Sequence, residues 1–242
     1  MRISPLKALC ALAALSMVSL ARAGEIGLFD GDGDVGSASR PGNCSFDAAA
    51  GTYTVGASGA NMWFKADAMH YVWKRASGDL SVAADIAFLG TSKQGHRKAC
   101  LVIRQDLSPG SAYVDVAQHG DGLTSLQFRL EKDGTTAEIQ SMVAGPTRVR
   151  LDKVGDTVVL SVAGADGVLH PSGASIKLRM ADPFYVGLAV CSHDDAAFET
   201  AVFSKVEVGA ASEAATRPVP GLRIMTLPTG DRRVTDQPLP AK

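Results

Sequence analysis

From about residue 51 to residue 208 the apolar residues recur with a period of two, not 3.6. Val82, Ala84, Ile86 and Phe88 alternate with Ser81, Ala83, Asp85 and Ala87. Leu126, Phe128 and Leu130 alternate with Gln127 and Arg129, and Val149 and Leu151 with Arg148, Arg150 and Asp152. The same beat returns in Val158, Leu160 and Val162, and again in Ile176, Leu178 and Met180. Alternation of this kind puts one face of a strand on a core and the other toward solvent or a groove. Turn residues punctuate the runs: Ser77-Gly78-Asp79, Pro109-Gly110, Gly120-Asp121-Gly122, Lys132-Asp133-Gly134, Val154-Gly155-Asp156 and Ala165-Asp166-Gly167. The pattern gives roughly a dozen antiparallel strands and no long helix, which means a sandwich or a barrel.

The first 23 residues stand outside this pattern. Arg2 and Lys7 precede the apolar run ALCALAALSMVSLA, and Ala21-Arg22-Ala23 offers small residues for a cut. That is the layout of a secretory signal peptide, and the run is short for a membrane span. Cys10 follows Leu9, not a small residue, and is not read as a lipid-attachment site. Cleavage leaves 219 residues with 21 basic and 25 acidic side chains, a net charge of −4. Such a balance argues against nucleic acid, whose phosphates need clustered Lys and Arg. The expected location is the periplasm or the outside of the cell.

Three cysteines remain after the cut: Cys44, Cys100 and Cys191. An odd number allows at most one internal bridge. KACLVIR and GLAVCSHD suit buried thiols acting as small apolar residues, and a Cys100–Cys191 bridge is the alternative. No CxxC pair or Cys/His cluster suggests zinc.

At the other end, residues 210–242 hold five of the 11 prolines, and ASEAATRPVPG reads as a linker. LRIMTLPTGDRRV then looks like a strand pair around a Thr-Gly turn. An isolated hairpin is not stable alone, so it folds back on the domain or meets a partner outside the chain.

The runs FDGDGDVG, NMWF, YVWKRASGDLSVAADIAF, RKACLVIRQ, AYVDVAQHGDGLTSLQFR, PTRVRLDKVGD and FYVGLAVCSHD together resemble a concanavalin A-like jelly-roll module. The module is similar to those placed ahead of TolB-like six-bladed propellers in bacterial exported proteins, over about residues 26–208. The resemblance implies an all-β, two-sheet antiparallel jelly-roll sandwich over residues 24–209 with one concave face. It also implies a carbohydrate or other extracellular polymer as the ligand. The tail resembles the strand that opens a first propeller blade, but the sequence stops before any repeat of blade length. A separately encoded propeller or envelope protein is therefore a second candidate partner.

Four groups of residues invite a chemical reading. FDGDGDVG spaces Asp30, Asp32 and Asp34 like the start of a calcium loop. Counted from Asp30, however, the sixth and twelfth positions are Val35 and Pro41, and a plain Gly/Asp turn is the simpler reading. In MHYVW, Met69, Tyr71 and Trp73 share one strand face and are taken as the core set. His70 and Lys74 then face outward or into the groove. Trp63 offers an indole for stacking on a sugar ring. Arg104, Asp115, His119, Gln127, Arg129 and His193 lie on strands or near their ends. With His70 they form the candidate hydrogen-bonding set, the competing reading being internal ion pairs. His96 and His170 read as loop residues without a further signal.

Catalysis has little to stand on. A glycosidase needs two carboxylates flanking the bond. The ExDxxE strand motif of jelly-roll glucanases is absent, as are GxSxG, HExxH and a P-loop. The expectation is a non-catalytic exported binding module without a cofactor, calcium apart.

Overall fold

The computed structural model describes residues 26–211, 213–216 and 234–235. Two large sheets stack as a sandwich. In the first, the spatial order is β1 (Gly31–Val35), β6 (Met69–Ala76), β15 (Phe184–Cys191), β8 (Lys98–Arg104), β9 (Tyr113–His119), β10 (Thr124–Arg129), β11 (Ala137–Gln140) and β17 (Val234–Thr235). In the second it is β14 (Leu169–Lys177), β13 (Thr157–Ala163), β12 (Arg148–Val154), β7 (Leu80–Leu89), β16 (Glu199–Gly209), β3 (Thr52–Ala57) and β2 (Asn43–Asp47). A small hairpin of β4 (Met62–Trp63) and β5 (Ala66–Asp67) stands apart from both. Pairing within the large sheets is antiparallel except for β17, which runs parallel to β11. A four-residue helix, α1 (Glu213–Thr216), follows. Among the described residues no helix is long and apolar enough to cross a membrane.

The alternation seen in the sequence is what closes the sandwich. Val82, Ala84 and Ile86 of β7 and Val149 and Leu151 of β12 are buried on the inner side of one sheet. Leu101 and Ile103 of β8, Val114 and Val116 of β9, and Leu126 and Phe128 of β10 meet them from the other. The Val, Leu, Ile and Phe side chains among them each contribute about 1.5–3 kcal/mol of burial. Every turn singled out in the sequence falls between two strands. The tightest joins β12 to β13 through Gly155 and Asp156, with Val154 paired to Thr157. Gly155 takes a φ of +55° there, as the first position of a two-residue hairpin favours. Leu130 is the exception to the pattern. It lies one residue beyond β10 and is 49% exposed.

Candidate functional site

An ordinary sandwich sheet buries one face and wets the other. The eight-stranded sheet does not. Every residue of β8, β9 and β10 is buried, on both faces. The second cover is the β4–β5 hairpin, which crosses the outer face of the sheet. Met62 of the hairpin is fully buried in an apolar cluster with Met69, Tyr71, Cys100, Val102, Tyr113 and Ala117.

This layer reverses the expected facing of MHYVW. Val72 belongs to the core between the sheets. Met69, Tyr71 and Trp73 point to the outer face, where Met69 and Tyr71 are sealed and Trp73 is half-buried at the rim. His70 accordingly turns inward, away from the other candidates. Its Nε2 is 2.9 Å from Asp32 Oδ2 and its Nδ1 is 2.8 Å from Asp34 Oδ1. Both oxygens of Asp34 also accept from the Gly42 N–H. A Cβ on Gly42 would fall 2.4 Å from the His70 ring, so the loop there has no room for a side chain. His70 thus fastens β1 and its following loop, and the expectation that it faces a groove is corrected.

The same contacts dispose of a ready calcium loop. Asp32 and Asp34 are turned to His70, while Asp30 Oδ2 accepts from the Arg75 N–H at 2.8 Å. The three carboxylates do not converge. Among the described residues no group of three or more His, Cys, Asp or Glu side chains could hold a metal ion.

Arg104 and Arg129 are on the outer face, as the alternation requires, but their hydrogen bonds are spent inside the protein. Arg129 grips Asp67 of the hairpin through two bonds, at 2.8 and 3.0 Å. It also donates to the Gly134 and Ser111 carbonyls and to Thr136 Oγ1. Burial works against its charge, yet Asp67 raises its pKa overall. Arg104 Nη2 lies 3.4 Å from the same carboxylate, and its Nε and Nη2 donate to the Asp106 and Ser108 carbonyls. Both arginines are fully buried. Their expected role as ligand donors is therefore corrected: they clamp the hairpin to the sheet. Asp67, missed in the sequence, is the residue that joins them.

Asp115 and Gln127 oppose each other on β9 and β10 under this cover. Burial, moderated by Lys98 and reinforced by Asp67, pushes the Asp115 carboxyl well above the usual carboxylate range. The Cys100 thiol and a backbone N–H of Gln127 favour its charge. Even so, neither Asp115 oxygen has a hydrogen-bond partner of normal geometry, nor do Gln127 Oε1 and Ser125 Oγ. Lys98 is held by Asn61 Oδ1 at 2.8 Å and the Met62 carbonyl at 3.2 Å. Its ammonium lies 5.6 Å from the centre of a Trp63 ring, so one side of that indole is occupied. Trp63 is half-buried.

His119 ends β9, with Nδ1 3.0 Å from the Leu123 carbonyl. Burial and then Lys98 push its pKa down to about 4. His193 follows β15 with a φ of +58°, and burial, Lys98 and His96 lower its pKa. Cys44, Cys100 and Cys191 are free thiols. Cys100 faces Ala189, which puts Cys191 on the diagonal. Diagonal neighbours are about 7–8 Å apart, beyond the reach of a disulfide without backbone movement.

The accessible part of the outer face is its rim. The Trp73 indole lies across β1, where Cβ atoms on Gly31 and Gly33 would come within 3.5 and 3.3 Å of it. The two glycines leave the space that the ring occupies. Half-buried Tyr185 stands opposite exposed Arg75 on the neighbouring strand pair, next to Trp73 along β6. At the hairpin tip, Phe64 is 66% exposed with a φ of +52°.

No family model and no curated protein matches the sequence. Solved structures do match in shape. One is described as a functionally unknown protein from Saccharomyces cerevisiae, at 13% identity and a TM-score of 0.55 over 70% of this chain and 92% of that one. It shows the fold. A carbohydrate binding module from Bacillus subtilis, CBM66, aligns at 14% identity and a TM-score of 0.47, over 76% and 98%. The alginate lyase from Klebsiella pneumoniae aligns at 8% identity and a TM-score of 0.46, over 70% and 85%.

Proposed function

We propose that the domain is a non-catalytic binding module, exported to the periplasm or beyond. It takes a carbohydrate chain on the rim of the outer face of the eight-stranded sheet. The observation that carries this reading is the indole of Trp73, laid over Gly31 and Gly33 and half open to solvent beside Tyr185 and Arg75. A sugar ring presents a C–H face that an indole matches over a large area, at little entropic cost. Tyr185 and Arg75 supply hydroxyl and guanidinium donors for its oxygens. Trp63, on the hairpin, adds a second aromatic surface farther along the same face.

The test is a glycan array followed by titration of any hit. Trp73→Ala lowers affinity at least tenfold while the melting temperature stays within a few degrees of wild type. An empty array from folded protein, or undiminished binding by Trp73→Ala, overturns the reading.

A further inference from the structure

Five side chains form a row across the outer face of the eight-stranded sheet, and arginine alternates with tyrosine along it. Strand register sets Arg75 of β6 against Tyr185 of β15, and Tyr185 against Arg104 of β8. Arg104 in turn stands against Tyr113 of β9, and Tyr113 against Arg129 of β10. With neighbouring strands about 4.8 Å apart, the row spans about 19 Å.

Its charge is unbalanced. Asp67 is the carboxylate held by Arg104 at 3.4 Å and by Arg129 at 2.8 Å. Two guanidiniums against one carboxylate leave a positive excess under the hairpin. The third arginine, Arg75, ends the row at the rim and is exposed. Its guanidinium has no hydrogen bond or ion pair among the described residues. Arg104 stands two strands away, about 10 Å, with Tyr185 between them. A buried charge at that distance is screened less than one in salt solution, so its excess reaches the rim.

The carboxylates of the adjoining loops already have partners. Asp30 and Asp182 accept from the Arg75 and Gly78 N–H groups at 2.8 and 3.0 Å. Asp106 pairs with Lys132 at 3.6 Å. Lys74, exposed on the same strand as Arg75, adds a further positive charge.

We infer that the rim takes an acidic polysaccharide, a chain containing uronic acid residues, with Arg75 reading the carboxylate. This rests on the carbohydrate reading of the rim given above and adds the charge of the sugar. Trp73 precedes Arg75 by two positions, about 7 Å along the same face. A ring stacked on the indole brings a carboxylate at its edge to the guanidinium. The two meet through a pair of parallel hydrogen bonds, each about twice as strong as a neutral one. A neutral sugar offers no such counter-charge to the free end of the row.

The experiment is calorimetric titration of the chain with oligomers of galacturonic, glucuronic and mannuronic acid, each beside its neutral counterpart, and with dextran sulfate. The expected result is a uronate bound about tenfold more tightly than its neutral counterpart. That advantage shrinks between about 0.05 and about 0.5 M salt. Arg75→Gln removes it, and the free guanidinium leaves the fold intact when it goes. Lys177→Gln, which removes the same charge from an exposed position on the other sheet, binds as wild type. A preference that survives in Arg75→Gln overturns the inference, as does a preference for dextran sulfate over every uronate. Neutral oligomers bound as tightly as uronates, and lost in Trp73→Ala, overturn it while the carbohydrate reading stands. Absence of binding to every uronate overturns it too, and the empty array removes both.

Discussion

Asp67 and Arg129, 62 positions apart, face each other through two hydrogen bonds at 2.8 and 3.0 Å with both side chains excluded from solvent. Removing one partner of a buried ion pair costs about 3–5 kcal/mol, because the other charge is left uncompensated. Asp67→Asn strands both Arg104 and Arg129. We expect a loss of that size in urea denaturation, with an unchanged slope.

Asp115 makes a prediction about pH. Its carboxyl titrates above its unfolded value near 3.9, so between the two values the folded protein holds a proton that the unfolded chain has released. Stability therefore falls as pH rises through that window. Asp115→Asn has no such proton to lose. Denaturation midpoints measured from pH 4 to pH 8 should slope downward in the wild type and less so in the variant.

Phe64 holds a left-handed φ at the first position of a two-residue turn, where glycine is favoured. Its side chain is mostly exposed, so little burial is lost on replacement. Phe64→Gly should stabilise by about 0.5–1 kcal/mol, the relieved strain being offset in part by glycine's unfolded-state entropy. Phe64→Ala keeps the strain and should be near neutral. Thermal denaturation of the two variants side by side checks this.

The thiols give a chemical readout. Burial pushes Cys191 up to about 11 and Cys100 well above its ordinary value. Neither is reactive as a thiolate near neutral pH. A thiol reagent should leave both untouched in the native protein. After denaturation it should titrate Cys44, Cys100 and Cys191 without prior reduction.

Much of the fold was legible because Val82, Ala84 and Ile86, or Leu126 and Phe128, have polar or small neighbours that mark the other face. The reading failed at Met69, Tyr71 and Trp73, because both faces of the first half of β6 are covered and alternation cannot say which cover is the core. Arg104 and Arg129 were placed on the correct face but given the wrong work. Their partner, Asp67, belongs to a hairpin too short to show a period. Met62, Trp63, Ala66 and Asp67 carry no repeat that announces a second layer. His96 is a loop residue, as read, and the contacts that bring its ring to those of His119 and His193 leave no trace in local sequence. The expected signal peptide and most of the Pro-rich tail lie outside the described residues.

The hairpin layer also bears on the order of assembly. A ribosome delivers residues 61–67 well before β8, β9 and β10, the strands on which the hairpin rests. Asp67 has to wait for Arg104 and then for Arg129, and Met62 for Tyr113 and Ala117. These contacts close large loops, and such non-local pairings slow folding. We expect the hairpin to dock late, onto a sheet already formed, with the polar row of Asp115, Ser125 and Gln127 open to water until it does.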